Sequence, residues 1–191
     1  MTEILVLCTA NVCRSPMAQA LLAGELGARG VPAAVHSAGT LASGAPPPGE
    51  VVAAMAPYGL DVREHRSQLV TADDLEGADL IVAMARAHLR HAAVMDPASW
   101  PRAFTLRELV RRGGETGPRR AGEPLAEWLA RAHAGRSRMA LLGDSPEDDI
   151  ADPMGGAPED YAQTAAELRV LTGRLAELGW GAPGGSARGE D

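Results

Sequence analysis

The chain has 191 residues, of which 46% are hydrophobic, and a formal net charge of −7. This length is sufficient for one domain with a full core, and the negative charge argues against nucleic acid as the main partner. The sequence contains no apolar run long enough to span a bilayer and no N-terminal signal pattern, so we expect a cytoplasmic protein. Its two cysteines, Cys8 and Cys13, are not the disulfide framework of a secreted protein.

The first predicted elements are a strand and a helix joined by a short loop. The run Ile4-Leu5-Val6-Leu7 is short and continuously apolar, which predicts a strand buried on both faces. From Met17 onward apolar residues recur at helical spacing, and Pro16 is favoured in the first turn of a helix. The amides of the connecting residues 8–15 would lie at the helix N-terminus, where unpaired N–H groups and the helix dipole favour an anion.

This loop carries candidate catalytic residues. Cys8 ends the strand and is a candidate nucleophile, because the loop amides and Arg14 would stabilise its thiolate. Arg14 would supply a planar fork for two oxygens of a phosphate or of its transition state. Arg14 and Ser15 stand six and seven positions after Cys8, a spacing that this composition rarely produces by chance. Asn11 tolerates left-handed backbone conformations, which suits a tight anion loop.

The rest of the chain predicts alternating strands and helices. A strand, a helix and a second strand imply a right-handed parallel crossover. Residues 41–49 include three consecutive prolines and predict a rigid connector. Thr71, with Asp74 three positions later, predicts a helix N-cap. The further predicted strands are 33–35, 78–84 and 103–106, and the further predicted helices are 51–55, a short one after Thr71, 86–95, one ending at Arg112, and 158–178.

The stretch CTANVCRSP at residues 8–16 resembles the phosphate loop of the low-molecular-weight protein tyrosine phosphatases, with Ala10 where that family usually has glycine. Three further segments match the family in order: HSAGT at 36–40, HRS at 65–67, and Asp152-Pro153. Relative to the compact family fold, residues 113–148 would be an insertion, either functional or plain surface. We therefore expect one α/β domain over residues 1–179, with a mainly parallel four-stranded sheet and helices on both faces, and a disordered tail at 180–191.

The resemblance implies hydrolysis of phosphate monoesters without a metal or other cofactor. Cys8 would form a cysteinyl phosphate while Asp152 protonates the leaving oxygen, and Asp152 would then deprotonate the water that hydrolyses the intermediate. From the residues alone, Asp148 and Asp149 are rivals for the acid. The family further implies that Asn11, Ser37 and His65 form a polar network that braces the loop. The Ser15 hydroxyl can stabilise the thiolate and support the loop. The groups expected to bind phosphate are Arg14 and the amides of Thr9, Ala10, Asn11, Val12, Cys13, Arg14 and Ser15.

Several functions are compatible with these residues. The expected substrate is a phosphotyrosine protein or a small phosphomonoester, with inorganic phosphate as product. The DPMGG sequence at 152–156 also resembles the protein-arginine phosphatase branch, but that branch has threonine where Val12 stands. Arsenate reduction would need an external thiol, because no cysteine follows Cys13. A non-catalytic phosphate-binding module is disfavoured by the presence of both Cys8 and Asp152.

Two finer expectations concern oxidation and specificity. Cys13 is expected to trap oxidised Cys8 as a reversible disulfide. Residues 41–49 and 154–156, which should line the mouth of the pocket, contain no aromatic side chain, so we expect weaker discrimination between aryl and alkyl phosphates than is usual in the family. Trp128 is the one candidate to supply an aromatic wall by folding over the mouth.

Overall fold

The computed structural model describes residues 1–41 and 44–182 of the chain. Four parallel strands form one sheet in the order β2-β1-β3-β4. Cys8 pairs with Gly39 and Leu7 with Ala83, so the carboxyl ends of the three strands β2, β1 and β3 meet at one edge. The strands are β1 (Thr2–Cys8), β2 (Ala33–Gly39), β3 (Leu80–Ala83) and β4 (Ala103–Thr105).

Seven α-helices lie on the two faces of this sheet within the described ranges. They are α1 (Arg14–Ala28), α2 (Gly49–Met55), α3 (Ala72–Gly77), α4 (Arg86–Met95), α5 (Leu106–Thr116), α6 (Leu125–His133) and α7 (Pro158–Trp180). Short 3-10 turns occupy Ala56–Tyr58, Pro97–Arg102 and Arg138–Leu141. No helix in the described part of the chain is long and apolar enough to cross a membrane.

The alternation of side chains along β1 divides the core into two layers. Ile4 and Val6 pack with apolar residues of α1, α2, α5, α6 and α7, whereas Leu5 and Leu7 pack with those of α3 and α4. All four side chains are inaccessible to solvent. The strand is therefore buried on both faces, as its continuous apolar run predicts, and the expected fold class is confirmed.

Most element boundaries agree with the sequence expectations, and the differences have local causes. Helix α4 matches its predicted range, and the Thr71–Asp74 capping box is present. The fourth strand ends at Thr105 rather than at residue 106, because the Thr105 hydroxyl accepts a hydrogen bond from the Glu108 amide and caps α5. Helix α7 continues through Trp180, which was assigned to the tail, and residues 183–191 lie outside the described part.

Candidate active site

Residues 8–15, the phosphate loop, curl around the sulfur of Cys8 between β1 and α1. The Asn11 amide donates to Cys8 Sγ at 3.2 Å, and Ser15 Oγ lies 2.9 Å from the same sulfur. Ser15 Oγ also accepts from Asn11 Nδ2, which leaves its own proton available to the sulfur. Cys8 is only 3% exposed, so these donors act on a nearly buried sulfur. Both donors can hydrogen-bond to a sulfur that carries negative charge.

The turn of this loop depends on Asn11. Asn11 has a φ of 54° and is the sole residue other than glycine with a positive φ in residues 1–41 and 44–182. Ala10 therefore does not need the conformational freedom of the glycine that the resemblance would place there. Gly39 is constrained for another reason, because a Cβ at that position would lie 2.6 Å from the Thr9 carbonyl oxygen. The loop thus packs directly against the end of β2.

A polar network centred on the buried Asn11 and Ser37 contacts the loop from the β2 side, and it contains the residues expected to brace it. Asn11 Nδ2 donates to Ser37 Oγ at 2.8 Å, and His65 Nε2 lies 2.7 Å from the Asn11 carbonyl oxygen. Gln19 and Gln68 also belong to the network, although the sequence did not indicate them. Ser37 Oγ donates to Gln19 Oε1 at 2.6 Å, and the backbone N–H of Gln68 donates to Asn11 Oδ1 at 2.9 Å.

The residues before and after Asp152 form the second part of the site, which we call the acid segment (residues 144–157). Arg14 Nη2 donates to Asp152 Oδ2 at 2.5 Å, and Arg14 Nη1 donates to the Ile150 carbonyl at 3.2 Å. The Ile150 amide donates to the Met84 carbonyl just after β3. The Arg14 side chain is 7% exposed and that of Asp152 43%, so the carboxyl lies at the mouth of the loop. Asp152 and the loop are thus brought into contact across 138 residues.

The two rival acids have other partners. Asp148 is buried and forms ion pairs with Arg86 at 2.7 Å and with Arg111 at 2.9 Å. Asp149 accepts from the Arg86 amide at 2.7 Å and from the Ser145 amide at 3.0 Å. Both carboxylates anchor the acid segment to its surroundings. Of the three aspartates, Asp152 is the one that contacts Arg14.

Two buried groups near Cys8 have shifted pKa values. Burial, together with the negative charges of Asp152 and Cys8, raises the pKa of the Cys13 thiol to about 12. Burial and the positive charge of Arg14 lower the pKa of His88 to about 4. His88 lies in the first turn of α4, and its Nε2 is 3.0 Å from Thr9 Oγ1. Nothing in the sequence pattern indicated this contact, since a histidine in a helix is ordinary.

The residues expected to line the mouth of the pocket differ in exposure. Leu41 and Met154 are exposed, and Val12 is buried. The side chain of Tyr161 in α7 contacts two of these residues, because its hydroxyl accepts from the Gly155 amide and lies 4.0 Å from Met154 Sδ. The suggestion that Trp128 covers the mouth is wrong. Its ring is fully buried against Gly113 and Gly179, and its Nε1 donates to the Gly117 carbonyl.

The position of Trp128 follows from the direction of α7. This helix starts directly after the acid segment and ends beside the end of α1, where Arg29 Nε donates to the Gly181 carbonyl. Trp128 therefore lies at the amino ends of the strands, whereas Cys8 lies at their carboxyl ends.

Ala42 and Ser43, which belong to the predicted connector, lie outside the described residues.

Comparison with known proteins gives one consistent family. A family model described as low molecular weight phosphotyrosine protein phosphatase matches residues 3–117. The probable low molecular weight protein-tyrosine-phosphatase EpsP of Ralstonia solanacearum is 42% identical over 106 residues, covering 56% of this chain and 71% of that protein. The protein-arginine-phosphatase of Bacillus subtilis is 31% identical over 177 residues, covering 92% of this chain and 95% of that protein.

A solved structure of similar fold agrees with these matches. The crystal structure of the low molecular weight protein tyrosine phosphatase from T. tengcongensis superposes with a TM-score of 0.70 at 31% identity. The superposition covers 93% of this chain and 99% of that one.

Proposed function

This chain belongs to the low molecular weight phosphotyrosine protein phosphatase family of cysteine-dependent hydrolases, and we propose that it hydrolyses phosphate monoesters through a cysteinyl phosphate on Cys8. The observation that carries the proposal is the contact between Arg14 and Asp152, because it sets an acid over the mouth of a loop that encloses a buried sulfur. This constellation provides a nucleophile, an anion site and a proton donor within one pocket.

In the first step the phosphoryl group enters the loop. Its oxygens accept from the amides of residues 9–15 and from the guanidinium of Arg14, which offset the negative charge of the transition state. The Cys8 thiolate attacks phosphorus in line with the leaving oxygen. As the bond from phosphorus to that oxygen breaks, the protonated Asp152 donates its proton to it.

The second step returns the enzyme to its starting state. Asp152, now a carboxylate, accepts a proton from a water molecule that attacks the phosphorus of the cysteinyl phosphate. The sulfur–phosphorus bond breaks, inorganic phosphate forms, and Cys8 leaves as a thiolate. The Ser15 hydroxyl, 2.9 Å from the sulfur, supports that charge both before attack and after release.

Arg14 has two partners in this cycle. Its Nη2 pairs with Asp152, yet a phosphoryl group in the loop needs the same planar fork. Substrate binding therefore draws the guanidinium away from Asp152 and leaves the carboxyl free to face the leaving oxygen. The loop amides remain in place throughout, because in the described part of the chain Asp152 hydrogen-bonds to the Arg14 side chain and the Met154 amide rather than to the loop backbone.

We infer that phosphotyrosine in proteins is the principal substrate class, with phosphoarginine as the second candidate. The apolar Val12 supports the first, since the arginine-phosphatase branch is expected to carry threonine there. The second is supported by the 92% of this chain that the Bacillus subtilis protein-arginine-phosphatase matches, which includes the acid segment. The lack of aromatic residues in the sequence ranges 41–49 and 154–156 supports only a modest preference for aryl esters.

The test is hydrolysis of p-nitrophenyl phosphate, followed by a pair of peptides of one sequence that carry either phosphotyrosine or phosphoarginine. We expect turnover that vanadate inhibits and EDTA does not, and a kcat/KM higher for the phosphotyrosine peptide. Dependence on added metal would exclude the thiolate mechanism. Faster release of phosphate from the phosphoarginine peptide would assign the chain to the second substrate class. Turnover of arsenate only with added thiol would favour a reductase.

A further inference from the structure

Two histidines contact the phosphate loop from opposite sides. His65 Nε2 lies 2.7 Å from the Asn11 carbonyl oxygen and belongs to the polar network beside β2. His88 Nε2 lies 3.0 Å from Thr9 Oγ1 and comes from α4, which follows β3. Because β1 is central between β2 and β3, its loop is held between the two rings. The catalytic scheme above assigns no role to His88.

The protonation of His88 is constrained by its surroundings. The side chain is 3% exposed, and its Nδ1 is buried without a hydrogen-bond partner among residues 1–41 and 44–182. Burial and the charge of Arg14 keep the ring neutral at physiological pH, as the lowered pKa of about 4 indicates. A neutral ring carries one proton, on Nδ1 or on Nε2.

The two tautomers leave different groups unpaired. With the proton on Nδ1, a buried N–H has no acceptor, whereas with the proton on Nε2 only a lone pair is unpaired. Unpaired buried N–H groups are rarer in proteins than unpaired acceptors, which favours the proton on Nε2. In that tautomer Nε2 donates to Thr9 Oγ1, and the proton of the Thr9 hydroxyl is free to be donated elsewhere. Ser15 is arranged in the same way, since it accepts from Asn11 and donates to the sulfur.

We propose that His88 is a positioning residue that donates from Nε2 to Thr9 Oγ1, holds the first residue of the phosphate loop against α4, and leaves the Thr9 hydroxyl proton to the bound phosphoryl group. The proposal rests on the proposed function. Thr9 directly follows Cys8, so a shift of its side chain moves the peptide that sets the direction of the sulfur. Small displacements of reacting groups lower kcat steeply.

The first test is a double-mutant cycle on kcat and KM for p-nitrophenyl phosphate. Thr9→Val and His88→Leu each remove one side of the hydrogen bond at similar volume, and each should lower kcat about five- to tenfold. KM should change little in His88→Leu and should rise in Thr9→Val, which also loses the hydroxyl donated to the phosphoryl group. His88→Leu in the Thr9→Val background should add less than about twofold. Full multiplication of the two losses would overturn the proposal.

Conservative variants separate positioning from packing. His88→Gln places a side-chain N–H near the position of Nε2 and should recover kcat to within about threefold of wild type, and Thr9→Ser should do the same. If His88→Gln is as slow as His88→Leu while its melting temperature matches wild type, donation to Thr9 is excluded. Should His88→Leu fail to fold, the ratio of kcat between Thr9→Ser and Thr9→Val measures the same hydrogen bond, because only the serine variant keeps the hydroxyl that contacts His88.

The second test does not depend on activity. A long-range ¹H–¹⁵N spectrum of the wild-type protein at pH 7 should show His88 as the neutral tautomer protonated on Nε2, and Thr9→Val should shift its Nε2 resonance. A ring protonated on Nδ1 or doubly protonated at pH 7 would overturn the proposal and leave the proposed phosphatase activity untouched. Conversely, a wild-type protein without turnover but with the expected spectrum would refute the function and not the contact.

Discussion

The phosphate loop and the acid segment meet at Arg14, but they are held in place by different kinds of contact. In the loop, Asn11 and Ser15 are buried and exchange hydrogen bonds between neutral groups with each other and with the buried Ser37 of β2. The acid segment is held by charges, with Asp148 between Arg86 and Arg111 and with Asp152 against Arg14. Neutral buried hydrogen bonds are insensitive to salt and to an incoming anion, whereas partly exposed ion pairs respond to both.

This difference suits the two tasks. The loop has to keep the same geometry through both steps, because it holds the phosphoryl oxygens throughout. The acid segment has to exchange its partner when the substrate takes the guanidinium of Arg14. The site therefore combines a phosphate loop held by neutral hydrogen bonds with an acid segment whose ion pair to Arg14 can be exchanged.

The largest effect is expected in the loop. Cys8→Ser should lower kcat by about 10⁴-fold or more, because a serine hydroxyl is not ionised at neutral pH. Binding of inorganic phosphate, measured by calorimetry, should persist, since the amides and Arg14 remain. Substantial turnover by this variant would remove Cys8 from its role, and loss of phosphate binding would show that the sulfur helps to build the loop.

The acid segment should show a loss that depends on the leaving group. Asp152→Asn should lower kcat for phenyl phosphate by roughly 10²–10³-fold and for p-nitrophenyl phosphate much less, since a more acidic phenol needs little protonation. Asp149→Asn is the matched control, because the two hydrogen bonds of Asp149 within residues 1–41 and 44–182 come from the backbone amides of Arg86 and Ser145. Its kcat should show no added dependence on leaving-group acidity. Equal losses for both esters in Asp152→Asn would make Asp152 structural.

Oxidation should distinguish the two cysteines of the loop. Mild peroxide should convert Cys8 to a sulfenic acid, and the Cys13 thiolate should then attack the Cys8 sulfur to form a disulfide, while the oxygen leaves as hydroxide and takes up a proton from solvent. Because the pKa of Cys13 is about 12, its thiolate fraction and the rate of this second step should rise about tenfold per pH unit between pH 7 and 9. Peptide mapping at timed intervals measures that rate. Sulfinic acid on Cys8 without disulfide at any pH would contradict the trap.

The smallest effect is expected at the anchor of the acid segment. Asp148→Asn removes a buried charge shared by two arginines and should lower the free energy of unfolding by about 1–3 kcal/mol, with a lower melting temperature. Asp144→Asn is the control, because Asp144 is exposed and lies 3.9 Å from Arg90, so its loss should stay within about 0.5 kcal/mol. Equal stability of the two variants would mean that the ion pairs do not anchor the segment.

The sequence was informative wherever the determining contacts are local. The continuous apolar run of β1, the helical spacing after Pro16 and the capping box at Thr71 each act over a few residues, and each predicted its element. The loop residues Cys8, Asn11, Arg14 and Ser15 lie within eight consecutive positions between β1 and α1. Their mutual placement therefore followed from the change from strand to helix. The polar residues implied by the family, Ser37 and His65, also lie against Asn11 as expected.

Three carboxylates within five residues have the same local signal, so the residues alone left Asp148, Asp149 and Asp152 as alternatives, and it was the family resemblance that indicated Asp152. Only the tertiary structure showed which partner each carboxylate reaches. It also placed His88 and Gln68 on the loop and buried Trp128 at the opposite edge of the sheet. These outcomes depend on strand order, on the direction of α7 and on close packing between residues far apart in sequence. Local spacing determines which elements form, whereas the register of packed elements determines which distant side chains meet.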